Sequence, residues 1–285
     1  MSTKKRLAVN KTYKLYLGGK FPRTESGRYY ELKGRKDALL ANVSRASRKD
    51  FRNAVVAARK AWPGWAGATA YLRGQILYRV AEMLEGRSEQ FEEELRAQGA
   101  TPTAARKEVT AAVDLLVHYA GWSDKYQSLF SSVNPVSTPH FNFSMPESTG
   151  VVAVAAPEES GLLGLCSVVA PLLVGGNASV ILASHARPLC AITLAEVLNS
   201  SDVPGGAVNI LTGLRDELLP QFAEHMDVNA LLVCSDEAGE TRLAQERAVE
   251  NVKRVIPHVD APLAESPYHI LDFQEIKTTW HPVGV

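Results

Sequence analysis

Three kinds of residue in this chain have the reactivity to do chemistry. Cys166, Cys190 and Cys234 are thiols, His258 is a potential proton acceptor, and Glu158-Glu159 are adjacent carboxylates. None has the setting that chemistry requires. Each cysteine lies in apolar sequence, where a thiol packs as a small hydrophobe. Adjacent carboxylates in a turn seldom converge on one atom, so Glu158 and Glu159 read as turn residues. His258 reads as a strand-end histidine with a structural hydrogen bond. Gly175-Gly176 does not follow a strand, as a phosphate-cradling G-x-G-x-x-G must, and reads instead as a helix end. No Cys/His cluster has metal-ligand spacing, and no metal is expected. Three cysteines without pairing spacing point to a reduced, cytoplasmic setting.

The elements that must position these residues change character along the chain. Tyr13–Leu17 before Gly18-Gly19 reads as a strand entering a turn. Ser47 with Asp50 forms a capping-box pattern, and Phe51, Val55, Ala58 and Trp62 then share a helical face that Pro63-Gly64 should end. A second helix carries Leu72, Ile76, Val80 and Met83. A third begins near Pro102 and carries Val109, Val113, Leu116 and Ala120. Residues 128–139 read as a connection. Phe141, Phe143 and Met145 then alternate with polar residues, the pattern of a half-buried strand. From Gly150 to Ile256, apolar strands alternate with helices. That predicts an α/β fold, a Rossmann-like doubly wound parallel sheet of about five strands covered on both faces. Residues 257–267 carry three prolines and read as a linker, and Tyr268–Trp280 has strand composition.

Composition sets limits on partners. The 285 residues are 46% hydrophobic, and 31 Lys plus Arg balance 31 Asp plus Glu. Zero formal charge gives no electrostatic reason for nucleic acid or an anionic membrane as partner. Neither a secretory signal nor a membrane span is expected, since no apolar run approaches about 18 residues.

In order and spacing, these segments resemble the aldehyde dehydrogenase superfamily. YKLYLGGKFPRTESG (13–27) resembles its opening hairpin, and AARKAWPGW (57–65) and YAGWSDK (119–125) its N-terminal helices. GVVAVAAP (150–157), APLLVGGN (170–177) and VPGGAVNILTG (203–213) resemble its first cofactor-domain segments. NVKRV (251–255) resembles the run before its catalytic glutamate, and LDFQEIKTTWHPV (271–283) its C-terminal oligomerisation strand. The resemblance implies a cofactor-binding domain in 1–129 and 147–260 and an oligomerisation β element in 130–146 and 265–285. A family catalytic domain should lie between the last two segments. Here only a short linker joins them, so that domain is expected to be absent.

The family's chemistry takes a cysteine thiolate, an oxyanion site, a base and a nicotinamide. No Gly-Gln-x-Cys nucleophile segment occurs here. By the resemblance, Glu159 stands where the oxyanion asparagine would be, and His258 where the base would be. Glu158 replaces a tryptophan, Leu182 the ribose-binding lysine, and His185 a ribose-binding carboxylate. Cys234-Ser235 replace a Gly-Ser pair at the pyrophosphate. Glu158 and Glu159 are expected to hold the positive end of the helix after them in place of a ligand. No catalytic residue and no cofactor are expected, with weak NAD(P) binding left open. Phe141, Phe143, Phe273, Ile276 and Trp280 are the expected interface. The reading is a pseudoenzyme subunit that assembles with a full-length aldehyde dehydrogenase. Its rivals are a nucleotide-binding sensor or self-associating scaffold, and an oxidoreductase whose site a partner chain completes.

Overall fold

The computed structural model describes residues 11–34 and 37–284. Tyr29–Lys33 (β1) and Leu39–Ser44 (β2) form an antiparallel pair. Four long helices follow: Arg48–Ala66 (α1), Ala70–Glu85 (α2), Ser88–Ala97 (α3) and Pro102–Trp122 (α4). Their starts are written locally. Ser47 and Asp50 form the expected reciprocal cap, Thr69 accepts from the Leu72 N–H, and Thr101 accepts from the Ala104 N–H ahead of a first-turn proline.

Three expectations change here. α1 runs through Pro63 to Ala66. Pro63 costs one backbone donor, but Trp65 is buried two residues on and donates to the Leu173 carbonyl at 3.1 Å, anchoring the last turn. On α2 the inward face is Ile76, Leu77, Val80, Ala81 and Leu84, and Leu72 is exposed. Residues 13–17 make isolated bridges. Tyr16 exchanges two backbone bonds with Ile210 and so covers a sheet edge.

A short helix, Tyr126–Phe130 (α5), leads to Ser132–Asn134 (β3) and His140–Ser148 (β4). The strand–helix alternation then begins: Val151–Ala155 (β5), Leu163–Val174 (α6), Ala178–Leu182 (β6), Leu189–Ser200 (α7), Val208–Leu211 (β7), Arg215–Glu224 (α8), Ala230–Cys234 (β8), Ala238–Arg247 (α9) and Arg254–His258 (β9). All five strands are parallel in the order β7-β6-β5-β8-β9, the doubly wound arrangement the alternation predicts. Successive side chains of β5 enter opposite cores. Val152 and Val154 pack with α2, α4, α6 and α7, whereas Val151, Ala153 and Ala155 pack with α1 and α8. Gly176, at φ +76°, closes α6. Its N–H bonds the Leu173 carbonyl and the Asn177 N–H bonds Leu172, the helix-end role expected of the glycine pair.

After β9 the chain crosses back over α4 and α6. Leu263 is buried, its N–H donates to Ser167 Oγ, and Tyr119 donates its hydroxyl to the Ser266 carbonyl. Tyr268–Leu271 is helical (α10), not extended, because Pro267 starts a turn that buries Ile270. Gln274–Pro282 (β10) then pairs with β4 along all nine residues, giving a separate antiparallel sheet in the order β10-β4-β3. Among the described residues no helix is long and apolar enough to cross a membrane.

Candidate functional site: the crevice at the strand ends

In an open parallel sheet, ligands bind beyond the carboxyl ends of the strands, where connections leave in opposite directions. Here that place lies between β5 and its neighbours β6 and β8. A cavity of about 580 Å³ opens there. It is lined by Glu158, His185, Leu214, Arg215, Asp216, Ser235, Asp236, Glu237, Glu240 and Asp260, with Ala186.

Glu158 fills the anion position of this crevice. Its Oε2 accepts from the His185 N–H at 2.8 Å, the Ala186 N–H at 3.3 Å and Ser184 Oγ at 3.0 Å. These donors form the turn between β6 and α7, so the carboxylate sits where a ligand oxygen would meet backbone N–H groups. This corrects the expectation that Glu158 and Glu159 hold the next helix. The start of α6 is capped by Glu108 of α4, whose Oε1 accepts from the N–H groups of Leu162 (3.0 Å) and Leu163 (3.2 Å), and by Ser160 Oγ, which accepts from Gly164. The turn faces Glu158 the other way because its own N–H donates to Asp260 Oδ1 at 2.5 Å. Glu159 points to solvent beside Arg187.

Arg215 lies across the floor. Its guanidinium donates to the carbonyls of Cys234 (2.7 Å) and Ala156 (2.5 Å), at the ends of β8 and β5. It also donates to Glu240 Oε2 at 3.0 Å and approaches Glu158 Oε1 at 3.6 Å. Its side chain is only 11% exposed, so these are sheltered charge-assisted bonds that hold two strand ends and two carboxylates together. Arg215 escapes a reading of the sequence, but it breaks a local rule. A cation at a helix start opposes the helix dipole, and such conflicts mark tertiary pairing.

The other positions singled out by the sequence lie in the core or at strand ends. Cys166, Cys190 and Cys234 are fully buried and unpaired. Burial pushes the Cys234 thiol up to about 12 and raises those of Cys166 and Cys190 as well, away from thiolate character. Leu182 is buried core. The His185 ring packs on Tyr30, with centroids 4.4 Å apart, and its Nδ1 is buried without a partner. Ser235 donates its N–H to the His258 carbonyl and lines the crevice. His258 ends β9 with Nδ1 3.0 Å from the Val259 carbonyl, edge-on to His269. Among the described residues no group of three or more His, Cys, Asp or Glu is placed to hold a metal ion.

These residues do not fit the pyrophosphate of a dinucleotide. Six carboxylates line the cavity against one guanidinium, and the backbone donors that would meet phosphate already bind Glu158. A dianion would have to displace a carboxylate from its hydrogen bonds while facing five more.

The expected interface residues divide. Phe273 is core of this chain, 1% exposed, because α10 folds it inward. Phe141, Ile276 and Trp280 are exposed, and Phe143 is partly so. The register places Trp280 opposite Asn142 and Thr279 opposite Phe143, so the phenylalanines and the Ile276/Trp280 pair lie on opposite faces. The side of β4 that packs inward carries Asn142 and Pro146, the reverse of the expected half-buried face.

Comparison with known proteins agrees with this architecture. Mouse cytosolic 10-formyltetrahydrofolate dehydrogenase is 30% identical over 259 residues, covering 88% of this chain and 28% of that protein. An aldehyde dehydrogenase of Aspergillus niger is 27% identical over 244 residues, covering 85% of this chain and 48% of its own. The structure of PnpE in complex with nicotinamide adenine dinucleotide superposes with a TM-score of 0.84 at 26% identity, covering 87% of this chain and 51% of that one. The chain thus spans about half or less of these relatives. Residues 22–261 match the aldehyde dehydrogenase family, and the chain belongs to it.

Proposed function

We propose that this chain is a non-catalytic member of the family, a cytoplasmic subunit that assembles with a full-length aldehyde dehydrogenase and supplies surface and stability. The observation that carries the reading is the Glu158–Arg215 pair, which fills the crevice from within. The buried thiols and the degenerate positions Glu159 and His258 support it, since none offers a thiolate, an oxyanion donor or a deacylating base at the crevice. The β10-β4-β3 sheet supports the assembly half. Its aromatic residues face solvent on both faces, and β10 leaves its edge open from Ile276 to Trp280.

The test is the native mass of the protein purified gently from its source, with each co-eluting chain identified. A full-length aldehyde dehydrogenase in fixed ratio is the expected result. Truncation after residue 275 keeps the buried Phe273 and Gln274 and should abolish co-elution. Unchanged co-elution rules out the β element as the contact. Oxidation of any aldehyde by the purified chain alone, or sub-millimolar affinity for NAD or NADP by calorimetry, overturns the non-catalytic reading.

A further inference from the structure

The outer edge of β10 has a definite hydrogen-bonding parity. The Thr149 N–H bonds the Phe273 carbonyl, and the Val283 N–H bonds the Pro139 carbonyl. Antiparallel bonding alternates along a strand, so the odd-numbered residues of β10 bond inward to β4. The N–H and C=O groups of Gln274, Ile276, Thr278 and Trp280 therefore point outward, the Gln274 carbonyl accepting from Arg254 at 3.0 Å, and β10 is a terminal strand of its sheet. Pro282 points the same way with a carbonyl alone.

We propose that this edge pairs with the β10 edge of a second copy, antiparallel, about a twofold axis through Thr278. The sequence selects that axis. It sets Ile276 opposite Trp280, a β-branched and aromatic pair on one face. On the other face it sets Lys277 opposite Thr279 and Glu275 opposite His281. Residues 275–281 face their counterparts fully, and at each end Gln274, whose carbonyl already accepts from Arg254, meets the donorless Pro282. Moving the axis to Lys277 sets that lysine against itself, and moving it to Thr279 sets Lys277 against His281 and Ile276 against Pro282. An axis at Ile276 shortens the pairing, because the chain before Gln274 turns into the core at Phe273. An axis at Trp280 leaves Gln274–Lys277 with no β10 residue opposite. Thr278, Ile276 and Trp280 then exchange both of their bonds with the other copy. The product is an isologous dimer with one continuous sheet, bounded only by the three-residue β3 at each end.

The pairing does not depend on the hetero-assembly proposed above. Its consequence does: both occupants need the same edge, so a self-paired copy is unavailable to a larger partner, and the dimer is the resting form.

The test uses the full chain. Sedimentation across micromolar concentrations should give twice the chain mass. The three native thiols are buried, so a new surface cysteine reports alone. Thr278→Cys, which faces its own copy at about 5.5 Å between Cα atoms in this register, should form a covalent dimer on mild oxidation, and Ile276→Cys should not. Thr278→Pro removes an outward N–H, leaves the bonds to β4, and should yield a monomer with unchanged circular dichroism. A wild-type monomer at every concentration, or stronger cross-linking through Ile276→Cys, overturns the pairing. A dimer that never exchanges with a co-expressed full-length aldehyde dehydrogenase leaves this inference standing and overturns the hetero-assembly.

Discussion

The parallel half of the molecule and its antiparallel blade treat polar groups in opposite ways. At the strand ends of the parallel sheet, Arg215, Glu158, Glu240 and backbone donors satisfy one another. Along β10, the outward backbone groups of Ile276, Thr278 and Trp280 have no partner among the described residues, and Ile276 and Trp280 face solvent beside them. A crevice whose backbone donors already hold Glu158 offers an anion few free donors, whereas an open edge gains from any strand that fits it.

The largest expected effect separates core from contact within the blade segment itself. Phe273→Ala should lower stability by about 4 kcal/mol in denaturant melts, because the ring is buried among α6 and α10 residues. A small loss there would mean that the blade is weakly attached. Arg215→Ala should cost about 3 kcal/mol, since Glu158 and Glu240 lose their shared cation in a sheltered site. If that variant is as stable as wild type, the crevice is not held from within and the contrast fails.

A pH effect comes next. Lys253 is buried, and desolvation brings its pKa down to about 8 although it donates to the Phe222 and His225 carbonyls at the end of α8. With the folded value below the unfolded one, the unfolded chain binds more protons between about pH 8 and 10. Lys253 should therefore add stability as pH rises across that window, read as the difference between wild type and Lys253→Met, while the three buried thiols, which ionise first in the unfolded chain, pull the other way in both proteins. A flat difference between the two melts would show that the carbonyl bonds cancel the desolvation. Above pH 10 both proteins should lose stability more steeply, because burial holds Tyr16 and Tyr119 protonated to about 12 and their unfolded forms ionise first. The smallest effect belongs to Trp280→Ala. Its side chain is 57% exposed, so stability should change by less than about 0.5 kcal/mol while dimerisation weakens measurably.

What the sequence discloses follows the range of the forces involved. The Ser47 cap, the Gly176 helix end and the five apolar strands are written within a few residues of each other, and they read correctly. α3 escapes notice because Phe91 and Leu95 are its only large apolar residues among many charges. Residues 268–271 look extended because Tyr and Ile suit strands, yet the burial of Ile270 decides for a turn of helix. The plug of the crevice joins residues from four connections, and no spacing rule links Glu158 to Arg215 or Glu108 to Leu162. Degeneracy at Glu158 is legible from the family resemblance. What Glu158 binds instead depends on the fold.

The pairing of β10 with β4 also sets a timetable. Residues 140–148 meet residues 274–282 only after the whole parallel sheet between them has been made. During synthesis β4 has only the three-residue β3 beside it, a pair too small to persist alone in water. The blade is therefore the last sheet whose strands all become available. A nascent chain stopped before residue 274 holds a finished parallel sheet but an open β4 edge, which exposes it to the holding and degrading machinery that surveys unfinished products.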